Sequence, residues 1–90
     1  MARFVGLHTL PGFTREMLGA ATPALGEFTS PTFIKAYSSF TDGKVVCEWE
    51  SPGKDEVAAA YKRLGFPFDE IVHVDAICDA GAEGVTTNEV

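Results

Sequence analysis

Ninety residues with seven basic and thirteen acidic side chains, a net charge of −6, describe a single acidic domain. That length builds one two-layer core and not two. The negative balance excludes nucleic acid and an anionic membrane as partners, since both need a clustered positive field.

Arg3 to Thr9 alternates and reads as strand β1, closed by Pro11-Gly12. No apolar run nears the roughly 20 residues of a membrane span. MARFVGLHTL has no apolar core followed by a small-residue cleavage site, so it does not read as a signal peptide. Thr14 then caps a helix over about 14–27, with Glu16 in its first turn and Met17, Leu18, Ala21 and Leu25 at helical spacing. Gly19 and Pro23 weaken this helix. Ser30-Pro31 resets the chain to extended geometry before β2.

From Thr32 to Ser51, two aromatic and β-branched runs flank Asp42-Gly43, the signature of a two-residue hairpin turn. Ser51-Pro52 opens a second helix, with Asp55 and Glu56 at its start and Lys62 and Arg63 at its end. Val57, Ala60, Tyr61 and Leu64 form its buried stripe, Gly65 ends it, and Pro67 follows. Glu70 to Cys78 is the last strand. The expected organisation is one folded domain over 1–79 and a flexible tail over 80–90, laid on a partner subunit. Cys47 and Cys78 lack zinc-ribbon or CxxC spacing and fall within strands, which suits free thiols in a reducing cytoplasm.

The order β-α-β-β-α-β is the ferredoxin-like α+β pattern, a four-stranded antiparallel sheet with both helices on one face. Strand parity then divides the residues. Val5, Leu7, Ile34, Ala36, Ser38, Val45, Cys47, Trp49, Val72, Val74, Ala76 and Cys78 are assigned to the helix face. The open face is left with Phe4, Gly6, His8, Phe33, Lys35, Tyr37, Val46, Glu48, Glu50, Ile71, His73, Asp75 and Ile77. So apolar a face calls for cover, and a two-fold homodimer with a cavity between its sheets supplies it, as in dimeric α+β barrels.

FVGLHTLPGFT, VVCEWESP and KRLGFPFDEIVHV together make the chain resemble a bacterial family of small ferredoxin-like proteins that includes a nickel-binding branch. The resemblance covers about residues 3–78 and implies a dimeric α+β fold. In it His8 matches a histidine ending β1, Glu50 the glutamate leaving β3, and Cys47 a family cysteine, with Trp49 in place of tyrosine. The chain departs from the metal-binding branch at Lys35 and Phe66, where that branch has histidines, and at Gly6, where it has an acid.

Four constellations carry possible chemistry. His8 and His73 with Glu48 or Glu50 suit zinc, nickel or non-haem iron, with His8, Glu50 and His73 the best ligands; the structural alternative is a pair of histidines bonded across a dimer interface. Lys35 with Tyr37, Glu48 or Glu50, beside Phe33, suits an anionic or carbonyl ligand, or is simply a cross-strand ion pair. His8 with Tyr37 and Asp75 could serve a cofactor-independent monooxygenase or isomerase acting on an aromatic or polyketide-like substrate, which rests on fold analogy alone; the alternative is a polar interface rim. Phe66-Pro67-Phe68 is either a lid on the cavity or a plug closing the core. The expected function is a small binding protein, holding a divalent metal or small ligand between two copies.

Overall fold

The computed structural model describes residues 1–78 and the backbone of Val85–Thr87. Strand β1 (Ala2–Thr9) leads to helix α1 (Arg15–Gly26), then to strands β2 (Thr32–Ser39) and β3 (Lys44–Ser51). Helix α2 (Lys54–Leu64) and strand β4 (Glu70–Val74) complete the β-α-β-β-α-β order. The sheet is antiparallel in the order β2-β3-β1-β4, so β1 runs down its middle between β3 and β4. Pairing with β1 ends at Val74, and the expected last strand breaks there. Its remainder, β5 (Ala76–Cys78), pairs with β6 (Val85–Thr87) instead. The tail expected over 80–90 otherwise lies outside the described residues.

Thr14 caps α1 as expected, its Oγ1 accepting from the Met17 amide at 3.2 Å. Ser51 does not cap α2. It stays in β3, paired with Ala2, and its hydroxyl donates to the Gly53 carbonyl at 2.7 Å. Gly53 takes the cap position without a side-chain bond. At the other end Gly65 turns left-handed at φ 73°, and the Phe66 amide closes back on the Tyr61 carbonyl at 2.9 Å. The hairpin turn is longer than the two residues expected. Ser39 pairs with Lys44, and only Gly43, at φ 65°, takes positive φ; the Asp42 amide is held by the Ser39 hydroxyl instead.

The core lies between sheet and helices, around Trp49, Val57 and Tyr61. The Phe28, Phe33 and Tyr61 rings all meet Trp49 edge-on, with centroids 5.3–5.6 Å apart. Such pairs add about 0.5–1.5 kcal/mol each beyond their burial. The helices carry this core unequally. α2 buries Val57, Ala60 and Tyr61, whereas α1 buries Leu25 alone.

The expected parity holds on β3 and inverts on β1 and β4. Ala2, Phe4, Gly6 and His8 turn to the helices, and Arg3, Val5 and Leu7 turn away. On β4, Ile71 is buried while Val72 is 37% exposed. A bulge between Phe33 and Lys35 splits β2, so that Phe33 packs inward on Trp49 while Lys35 and Tyr37 face outward opposite Glu48 and Val46.

Candidate functional site on the open face of the sheet

Because β1 and β3 pair in register from Ala2–Ser51 to Thr9–Lys44, Arg3 lies opposite Glu50 and beside Glu48. Its guanidinium donates to Glu48 Oε2 at 3.4 Å and to Glu50 Oε1 at 3.3 Å. These are long contacts between partly exposed groups, in the range where an ion pair contributes little to stability. Lys35, paired with Glu48 across β2–β3, extends its ammonium over the Tyr37 ring, 5.5 Å from the centroid. The Tyr37 hydroxyl first, and the Glu48 carboxylate behind it, hold Lys35 above the ordinary lysine range, so it stays protonated. Arg3, Val5, Lys35, Tyr37, Glu48 and Val74 surround a hollow of about 360 Å³, which Ile77 and Cys78 of β5 close on one side. Two cations, one carboxylate and an apolar floor are suited to an oxygen-rich small molecule with an apolar body.

Lys35, Tyr37 and Glu48 therefore come together as expected. Phe33 does not join them, because the bulge turns it into the core. Arg3 lines the hollow as well, a candidate residue that the sequence reading missed. It shares strand parity with Val5 and Leu7, so placing those two in the core would have buried a guanidinium. That conflict was the available signal.

The opposite face holds a second polar group. His8 is 3% exposed, and its Nδ1 donates to the Pro67 carbonyl at 2.8 Å. Its ring stands edge-on to Tyr61 at 4.5 Å, and burial pushes its pKa below the ordinary histidine value. Trp49 Nε1 donates to the Tyr61 hydroxyl at 2.8 Å, and that hydroxyl lies against the Cys47 thiol. Burial pushes both Tyr61 and Cys47 upward, so both are neutral. Gly6 makes this cluster possible, since a Cβ there would collide with the Tyr61 hydroxyl.

The expected metal set is not assembled. His8 faces the helices and Glu50 the open side, so the sheet lies between them. His73 shares the His8 face but stands opposite Phe4, four residues along β1. At about 3.3 Å per residue that is roughly 13 Å away. Its Nδ1 pairs with Asp75 Oδ1 at 3.0 Å. The set His8, Tyr37 and Asp75 is likewise divided, with Asp75 90% exposed beyond the end of β4. Phe66 packs on the core while Phe68, 40% exposed, lies tilted against Tyr61, so the pair closes the helix side rather than the open-face hollow.

A domain of this topology, with its polar side chains divided between a core-facing cluster and an open-face hollow, is a ferredoxin-like α+β protein. The family model described as nickel responsive protein SCO4226-like matches residues 4–74, and the chain belongs to that family. Among solved structures, the crystal structure of SCO4226 from Streptomyces coelicolor A3(2) matches with a TM-score of 0.73 and 27% identity. The match covers 81% of this chain and 95% of that one. No curated protein matches the chain.

The family name raises nickel, and the described residues do not fit it. Among the described residues no three histidine, cysteine or acidic side chains gather closely enough to hold a metal ion. The open-face hollow contains Arg3 and a protonated Lys35, which repel a cation.

Proposed function

We propose that this member of the nickel-responsive family is a small binding protein that works as a homodimer. It holds a small ligand with a carboxylate or carbonyl oxygen between the open faces of two sheets. The observation that carries the reading is the pairing of Arg3 and Lys35 around the same 360 Å³ hollow, on a face that also exposes Tyr37 and Val72. The protonated Lys35 supplies a point charge for the ligand oxygen, and Arg3 supplies a planar donor fork. Loose contacts to Glu48 and Glu50 keep that fork in place and let it exchange to a ligand. The apolar surround, Val5 and Val74, takes the ligand body and, across the two-fold axis, the partner. Neither zinc nor nickel is needed in this reading.

The test is a calorimetric titration of the dimer with a panel of small aliphatic and aromatic carboxylates, beside nickel(II) as the competing ligand. At least one carboxylate should saturate, and Lys35→Met should weaken it about tenfold, the effect of losing one charge-assisted bond of about 1.4 kcal/mol. Nickel should bind at well under one ion per chain. One tightly held nickel per chain, unaffected by Lys35→Met, would reject the proposal.

A further inference from the structure

A second hollow, of about 350 Å³, adjoins the one around Arg3 and Lys35 and is bounded by Leu7, Thr9, Lys44, Val46, Asp69 and Glu70. The two follow one another along the middle of the sheet. Val5 belongs to the first and Leu7 to the second, successive outward residues of β1, and Glu48 and Val46 stand in the same relation on β3. Val72 lies opposite Val5, and Tyr37 opposite Val46, so the floor that joins the hollows is aliphatic or aromatic on all four strands.

The two ends of this trough differ. At the first, the Arg3 and Lys35 cations outnumber the Glu48 carboxylate. At the second, Lys44 Nζ donates to the Thr9 hydroxyl at 3.0 Å, and Thr9 donates to Asp69 Oδ2 at 2.6 Å, beside the exposed Glu70. Lys44 is tied to Thr9 there and two carboxylates stand near it, so this end repels an anion and stops an apolar chain. Thr9 lies four residues beyond Val5 on β1. At about 3.3 Å per residue that is roughly 13 Å. An extended chain of single bonds advances about 1.2 Å per bond, a third of an extended residue, so about ten carbons span it.

We propose that the ligand of the open face is a medium-chain aliphatic carboxylate, with its head on Lys35 and Arg3 and its chain laid along β1 over Val5 and Leu7 as far as Thr9. The inference rests on the proposed open-face carboxylate site and adds the nature and length of the ligand body. The cations fix the head, the apolar floor rewards each methylene, and the Thr9–Asp69–Glu70 end sets the limit.

The experiment is calorimetry with the even-numbered saturated acids from butanoate to tetradecanoate, each below its micelle concentration. Affinity should rise at least twofold per methylene as far as decanoate, against about fourfold for complete burial, and then stay level. Decanoate should bind at least tenfold tighter than 1-decanol, and Lys35→Met should reduce that preference below threefold. Glu70→Leu, a change at an exposed position, should move the limit outward, tightening dodecanoate at least threefold and octanoate less than twofold. Equal affinities along the series, a gain that continues unbroken to tetradecanoate, or a limit unmoved by Glu70→Leu would overturn the chain-length inference and leave the carboxylate site standing. Saturation by no acid of any length, or a preference over decanol that is absent or indifferent to Lys35→Met, would overturn both.

Discussion

Gly6 and Tyr61 form a matched pair at the centre of the sheet. The Tyr61 hydroxyl fills the space a side chain at position 6 would need and accepts the only indole N–H in the chain. Gly6→Ala should therefore destabilise the protein by about 1–3 kcal/mol, the usual cost of overpacking a filled core. Tyr61→Phe should cost about 1–3 kcal/mol by stranding Trp49 Nε1. In the Tyr61→Phe background Gly6→Ala should cost less than it does alone, because the colliding oxygen is gone. Chemical denaturation of the four proteins measures this cycle, and strict additivity would contradict the contact.

His8 gives a pH dependence whose sign follows from its surroundings. Burial, the largest cause, lowers its pKa, against smaller opposing effects from the Pro67 carbonyl and the Asp69 carboxylate. The folded state resists the proton that the unfolded chain accepts near 6.5, so stability is full above that pH. It is lost as pH falls below 6.5 and through the lowered folded value. Denaturation midpoints between pH 7.5 and 5 should decline in the wild type and decline less in His8→Gln. Parallel curves would show that His8 does not titrate on unfolding. None of this was legible from sequence. A histidine alternating with Phe4 and Gly6 looks like the polar parity of a half-exposed strand, and nothing local announces a carbonyl 59 residues away that satisfies it.

The elements themselves were legible because their signals are local. Thr14, Gly65 and the periodicities of α1 and α2 depend only on neighbours in the chain. Facing is set by tertiary partners. On β3, Val45, Cys47 and Trp49 outweigh the acidic alternates and the face reads correctly. On β4, Val72 and Val74 outweigh Ile71 in number yet face outward, since pairing with β1 aligns Ile71 with Gly6 and the core. The β2 bulge adds one residue that no periodicity shows, and it moves Phe33 from one face to the other. The unequal burial of the helices leads to a dynamic expectation. Amides of α1 should exchange with deuterium at least tenfold faster than those of α2, because α1 has one buried anchor against three. Equal protection would show that α1 unfolds only with the whole domain.

At the scale of the molecule, the inverted strands leave the open face more apolar than an alternation of charges would suggest. Val5, Leu7, Val46, Val72 and Val74 now share it with Tyr37, with Arg3, Lys35 and Glu48 around the hollow, Glu50 beside Arg3, and Lys44 and Glu70 opposite Thr9 and Leu7. Charges of both signs on one patch make it self-complementary, as a two-fold interface requires. A patch this apolar calls for cover, and a second copy laid on it would form the second wall of the proposed ligand site. The proposed function thus depends on two copies meeting through this face. Light scattering on the eluted protein at micromolar concentration measures it most directly. The expected mass is about 19 kDa, twice the 9.6 kDa chain, falling to the single-chain value in Val72→Glu. A wild-type mass of 9.6 kDa, or a dimer indifferent to Val72→Glu, would contradict the shared open face on which the proposed function rests.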